Sequence, residues 1–134
     1  MTTGTERRTV NRRTEDIYRK AIEEIRDYAI FTTDVDGIVT NWNVGAQHIL
    51  GYVEEEIVGK DASKFFTIED RTKRIPDKEL TTAATFGRAE DERWHVRKDG
   101  SRFWASGIVT AVRDATGNLI GFSKVMRDMT ERNK

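Results

Sequence analysis

Arg97-Lys98-Asp99-Gly100-Ser101-Arg102-Phe103-Trp104, then Asp114-Ala115-Thr116-Gly117-Asn118, then Gly121-Phe122 running into Asp128-Met129-Thr130-Glu131-Arg132, decide the fold of this chain. Each of the first two stretches contains a tight turn. Glycine supplies the positive φ that a strand reversal needs, and Asp and Asn side chains cap the bend. Two turns between β-rich runs make an antiparallel meander of three strands. The last strand ends in a polar Asp-x-Thr-Glu-Arg sequence, which reads as an exit from the sheet into a helix leading elsewhere.

Working outward from the meander, Pro76-Asp77 opens a helix that runs to about Phe86 and stops at Gly87. Val53 to Val58, with its Glu triplet, forms a shorter helix closed by Gly59. Asn43 suits an N-cap for a helix through Ala46, Gln47 and Leu50 that Gly51 ends. Ahead of these, Ala29 to Thr33 and Ile38 to Trp42 are strands joined by the turn Asp34-Val35-Asp36-Gly37. The order predicts an α+β fold: a five-stranded antiparallel sheet with short helices on one face. Tyr18, Ile22, Ile25 and Ala29, flanked by Ile17, Ala21 and Tyr28, recur at spacings of three and four, which predicts an amphipathic helix with Thr14 as N-cap. The expected divisions are a disordered arm over 1–13, the amphipathic helix over 14–28, the core over 29–128 and the start of a C-terminal linker over 129–134.

The 134 residues fit one domain. Lys plus Arg and Asp plus Glu both total 23, so the chain lacks the basic field of a nucleic-acid binder, and no nucleic-acid partner is expected. Cysteine is absent, which removes thiolate chemistry and disulfides. No apolar run reaches the roughly 20 residues that cross a bilayer. A cytoplasmic domain is the expectation.

Gly37-Ile38-Val39-Thr40-Asn41-Trp42-Asn43, Gly51-Tyr52 with Glu55-Glu56-Ile57-Val58-Gly59-Lys60, Arg97-Lys98-Asp99-Gly100, and Gly121-Phe122 to Asp128-Met129-Thr130-Glu131-Arg132 together resemble the PAS domain family. The resemblance covers roughly Ile25 to Arg132. It implies a sensory or interaction module, usual in bacterial signalling proteins such as histidine kinases and cyclases, in which a core event alters the sheet and passes to a flanking helix. The implied role is signal input and dimerisation, as a homodimer, for a sensor histidine kinase of a two-component system. Asp128, Thr130 and Arg132 are then the output hinge, and Tyr18, Ile22 and Ile25 the dimer helix. Light-sensing flavin members carry a cysteine where Ala62 stands, so no cysteinyl-flavin adduct is expected. Haem members supply a histidine from the third helix, and Thr67 to Gly87 has none. The cofactor is left unspecified, and a noncovalent small molecule or flavin in the core is the alternative reading.

By the family's strand order, His95 points to the core and Trp94 to the outer sheet face. His95 is either a polar group for a ligand or a hydrogen-bonded sheet residue; His48 reads as a structural residue. Along Phe103 to Val112 the resemblance turns Phe103, Ala105, Gly107, Val109 and Ala111 inward and Trp104, Ser106, Ile108, Thr110 and Val112 outward. The small inward residues leave room that Phe31, Phe122 and Met126 are expected to fill; the alternative is a ligand among Phe31, Thr33, His95, Phe103, Ala105, Gly107, Val109, Phe122 and Met126. The apolar outer face needs a cover, and the stripe of Tyr18, Ile22 and Ile25, from the same chain or a partner, is the nearest candidate. Family resemblance also pairs Glu56 with Lys98, tying the helical side to the sheet. The carboxylate runs Glu54 to Glu56, Glu69-Asp70 and Glu90 to Glu92 read as solvated surface. Neither histidine has a metal-ligand partner at the right spacing, and no catalytic motif is present. An acid/base enzyme built on His95 is the remaining, remote alternative.

Overall fold

Apolar and polar residues alternate along three long strands, and that alternation sets the architecture. The computed structural model describes residues 4–130, with side chains from residue 12 onward. In chain order it contains α1 (Gly4–Glu24), β1 (Ala29–Thr33), β2 (Val39–Trp42), α2 (Val44–Leu50), α3 (Glu54–Ile57), a 3-10 turn (Ala62–Phe65), α4 (Ile68–Thr72), α5 (Ile75–Phe86), β3 (Arg88–Val96), β4 (Arg102–Arg113) and β5 (Leu119–Asp128). The sheet order is β2-β1-β5-β4-β3, and every neighbouring pair is antiparallel. This is the five-stranded α+β arrangement that the meander and hairpin signals predict.

Both meander turns form as read. Asp99 Oδ1 accepts from the Ser101 amide and Asp114 Oδ1 from the amides of Thr116 and Asn118. Gly100 and Gly117 take the positive φ that each bend requires. The helices between β2 and β3 bury one face of the sheet. Ala46, Ile49, Leu50, Ile57 and Phe65 pack on Ala29, Phe31, Phe103, Ala105 and Met126, and Ala83 of α5 packs on Ala89, Val109 and Phe122.

The N-terminal segment departs from expectation. Where an arm over 1–13 and a helix over 14–28 are predicted, one helix runs from Gly4 to Glu24, so Thr14 is interior. No proline interrupts the Arg- and Glu-containing segment before Thr14, and both residue types are good helix formers. At the other end the carbonyls that would extend the helix are taken elsewhere. Asn43 Nδ2 shares its two hydrogens among the carbonyls of Ile22, Ile25 and Tyr28, all within 3.1 Å, while its Oδ1 accepts from the amides of Ile30 and Ala46. Gly45 sits against the same segment, where a Cβ would overlap the Tyr28 carbonyl. One side chain thus joins the end of α1, the edge of β1 and the start of α2.

Of the expected linker over 129–134, residues 131–134, Arg132 included, lie outside the described residues. No helix among the described residues is long and apolar enough to cross a membrane.

Asn43→Ala removes the hydrogen bonds of both side-chain amide atoms in a buried junction, and should cost about 2–4 kcal/mol in urea unfolding. Asn43→Asp keeps the accepting oxygen and should fall between. A loss below about 0.5 kcal/mol for the alanine variant would contradict the role of this junction.

Candidate functional site

Strand alternation carries charged groups into the core as well as apolar ones. On β3, Ala89, Asp91 and His95 face inward; on β5, Phe122, Lys124 and Met126 do the same. Register sets Asp91 opposite Gly107 and Lys124 opposite Val109. Lys124 Nζ donates to Asp91 Oδ2 at 2.9 Å and to Glu79 Oε2 of α5 at 3.4 Å, all three side chains being buried. A Cβ on Gly107 would lie 2.9 Å from Asp91 Oδ1, 3.1 Å from Lys124 Cε and 3.2 Å from Met126 Cβ, so the ion pair and Met126 share the volume that glycine leaves. Arg93 continues the network toward solvent, reaching Asp91 at 3.3 Å, Glu79 at 3.2 Å and Asp70 at 3.2 Å.

Burial, and then the hydrogen bond to Asp91, push the Glu79 carboxyl up to about 8. Burial alone would raise Asp91 too, but the side-chain interactions with His95 and Glu79 and the Lys124 charge overcome it and hold Asp91 well below the usual carboxylate range. At neutral pH, therefore, Glu79 keeps a proton and Asp91 does not. Lys124 and Arg93 are then balanced by Asp91 and Asp70, and no charge in the network is left uncompensated. His95 is completely buried. Its Nδ1 lies 3.0 Å from the Phe65 carbonyl, which can only accept, so Nδ1 carries the hydrogen. Its Nε2 lies 3.5 Å from Asp91 Oδ2, and the ring packs edge-on to Phe66 at 4.7 Å.

Beside this network, between α5 and the sheet, is a cavity of about 280 Å³. Phe31, Phe65, Phe66, Leu80, Val109, Phe122 and Met126 form its apolar wall, and Thr33, Ser123, Lys124 and Glu79 are among its polar groups. Of the residues expected around a ligand, Phe31, Thr33, Val109, Phe122 and Met126 line the cavity. His95, Phe103, Ala105 and Gly107 are buried without lining it. The expected filling by Phe31, Phe122 and Met126 is partial: Phe31 and Met126 pack in one cluster with Ala105, Phe122 in another with Ala111, and the cavity remains beside them. The ion pair and Met126 take the room over Gly107, and Phe31 is held in a ring cluster with Trp42 at 5.3 Å and Phe65 at 5.5 Å. The reading of Glu90 to Glu92 as solvated also needs correction: Glu90 and Glu92 are exposed, but Asp91 is in the core. Glu79, Asp91 and Lys124 are the residues that the sequence reading missed. The parity that turned His95, Phe122 and Met126 inward applies equally to Asp91 and Lys124, and could have found them.

A second constellation ties the helical side to the sheet exit. Glu56 Oε2 accepts from Lys98 Nζ at 2.7 Å, and Oε1 accepts from the Val53 amide at the start of α3. The Lys98 amide donates to the Leu50 carbonyl. Arg97 donates to the Ile49 carbonyl at 2.7 Å and to Asp128 Oδ2 at 2.8 Å, and its guanidinium lies 4.3 Å from the Phe103 ring centre. Asp128 Oδ1 in turn accepts from the Thr130 amide. Burial raises the Asp128 carboxyl, but the hydrogen bonds from Arg97 and Thr130 outweigh it and hold it below its ordinary value.

Among the described residues, the outer sheet face is left partly open. Trp94 is 48% exposed and packs edge-on to Trp104 at 5.3 Å, and Ile108 and Val125 are also exposed. Tyr18 is 67% exposed, with Ile22 and Ile25 exposed beside it. The end of α1 docks to Asn43 and α2. Among the described residues, no group of three or more His, Cys, Asp and Glu side chains is placed to hold a metal ion.

A family profile described as PAS domain matches residues 27–131. Two-component system protein A of Emericella nidulans is 41% identical over 119 residues, which is 89% of this chain and 17% of that protein. The chain thus spans about a sixth of this curated relative. Among solved structures, the PAS domain of a protein from Colwellia psychrerythraea superposes with a TM-score of 0.81 at 24% identity, over 89% of this chain and 99% of that one. A domain of the sensory box sensor histidine kinase/response regulator from Geobacter sulfurreducens gives 0.72 at 17% identity, over 86% and 94%. The structural likenesses, both below 25% identity, establish the fold.

Glu79 binds its proton more tightly folded than unfolded, so its contribution is greatest below its ordinary value of 4.5 and is lost as pH rises toward about 8. Thermal melts should show stability falling across that window, and Glu79→Gln should flatten the fall while leaving the acid limb set by Asp91. Parallel wild-type and Gln profiles would contradict the assignment. Gly107→Ala forces Asp91 or Lys124 to move and should cost about 1–3 kcal/mol in urea unfolding; an unchanged midpoint would show that the space is not needed by the ion pair.

Proposed function

This chain belongs to the PAS domain family, and from that premise we propose that it is the signal-input and dimerisation module of a cytoplasmic two-component signalling protein, a sensor histidine kinase. The observation that carries the reading is the position of β5. Its middle holds Lys124 at the cavity and in the buried network, and its end holds Asp128 at the exit from the sheet. A change under α5 that repositions Glu79 or Lys124 acts on the same strand that leads to Asp128 and Thr130. The signal is then a shift in the populations of two sheet and helix arrangements, with Asp128 and Thr130 as the hinge. Glu56 with Lys98, and Arg97 with Asp128, couple α3 and α2 to that hinge through the turn between β3 and β4.

Support for the two-component context comes from the 41% identity to Two-component system protein A. Dimerisation is favoured by two apolar surfaces that the described residues leave open, the stripe of Tyr18, Ile22 and Ile25 and the outer sheet face at Trp94, Trp104 and Ile108. A second reading concerns the form of input. The cavity favours a small molecule held in the core over a module that works by protein contact alone.

Ile22→Glu together with Ile25→Glu should convert a dimer to a folded monomer in sedimentation velocity, with an unchanged circular dichroism spectrum. A sedimentation coefficient that does not move would remove the helix contact. In the full-length protein, Arg97→Met should change basal autophosphorylation by several-fold while this domain stays folded; unchanged output would remove the hinge coupling.

A further inference from the structure

The cavity has a defined polarity, and that polarity restricts what it can hold. Its wall is dominated by aromatic and aliphatic side chains, and two of its polar groups, Lys124 and Glu79, are buried. Lys124 has three ammonium hydrogens, two of which are directed to Asp91 at 2.9 Å and Glu79 at 3.4 Å. One donor therefore remains. Glu79 Oε1 is buried with no hydrogen-bond partner, although Arg93 Nε lies 3.2 Å away at ion-pair distance. A free donor and an unsatisfied acceptor thus belong to neighbouring side chains on the cavity wall.

Charge narrows the choice further. Lys124 and Arg93 are already matched by Asp91 and Asp70, with Glu79 neutral between them. An anionic guest would add a buried carboxylate to a balanced network, and a cationic guest would place a second ammonium beside Lys124; both are costly away from water. At the mouth, exposed Arg71 and Arg74 are mixed with Asp36, Asp61 and Asp77 and select neither sign. A cavity of about 280 Å³ is of a size for a small molecule.

We infer that the cavity takes a small neutral molecule with an aromatic body and one hydroxyl group, which accepts from Lys124 and donates to the Glu79 carboxyl. This deepens the small-molecule reading of the input above and rests on it. Such a ligand satisfies both free polar positions without adding charge. It also contacts α5 and β5 at once, so its arrival bears on the strand that leads to Asp128.

The test uses four probes of one shape: benzyl alcohol, toluene, benzoate and benzylammonium, titrated into the chain and followed by calorimetry and by the methyl resonance of Met126. Benzyl alcohol should bind about tenfold more tightly than each of the others, the worth of one satisfied hydrogen-bonding site. In Glu79→Leu the preference for benzyl alcohol over toluene should shrink to what the Lys124 donor alone supplies; Glu79→Gln, which keeps a carbonyl acceptor and similar bulk, should retain the full preference. Tightest binding by benzoate or benzylammonium, or no discrimination against toluene in the wild type, overturns the ligand class and leaves the small-molecule reading standing. Failure of all four to perturb Met126 at millimolar concentration overturns that reading together with the inference.

Discussion

A lysine ammonium in the core of a small sheet must be paired, and the pairing of Lys124 with Asp91 organises what surrounds it. Glycine at the opposite position on β4 gives the pair its room, since a Cβ there would press on Asp91 Oδ1 at 2.9 Å and on Lys124 Cε at 3.1 Å. A second carboxyl, Glu79, reaches the ammonium from α5, and burial keeps it protonated. The helix over the sheet is therefore held partly by a polar contact whose strength depends on a proton. Packing alone would give no such dependence. The cavity lies beside this network, between α5 and the sheet, with Lys124 and Glu79 among its lining groups.

Asn43 plays the corresponding part at the other end of the molecule. Its amide holds three carbonyls from the end of α1 and the approach to β1, and its oxygen caps α2. The direction of α1 is thus fixed relative to the helical side, with its apolar stripe facing outward. Between these two anchors lies the turn joining β3 and β4, where Arg97 and Lys98 touch α2, α3 and the end of β5. Helical side, sheet and exit form one connected set of contacts, which is what a module that transmits a small internal change requires.

The sequence carried the fold in its turn chemistry and alternation. Asp99 with Gly100 and Asp114 with Gly117 specify their bends locally, and a local signal survives without knowledge of the rest of the chain. The caps at Asn43, Gly51 and Gly87 were legible for the same reason. The start of α1 was not, because polar residues that form helices well look the same in a solvated arm. The site was legible only in its apolar half. Phe31, Val109, Phe122 and Met126 follow from strand parity, and so do Asp91 and Lys124, but a charge in a run of charges reads as surface until its partner is known. That partner, Glu79, is 45 residues from Lys124 along the chain. Pairing at such separation is a property of the folded topology and leaves no mark on local sequence.

The central claim is that Glu79 is a neutral carboxyl held over an ionised Asp91 and a charged Lys124. Side-chain carboxyl carbon NMR across a pH titration reads this directly, because the resonance of each carboxyl reports its own ionisation. The account predicts that the Glu79 signal stays in its protonated position through neutral pH and moves only near pH 8, while Asp91 remains ionised far below the usual carboxylate range. A Glu79 signal that titrates near its ordinary 4.5 would contradict it, and with it the balance of charge on which the cavity's proposed selectivity rests.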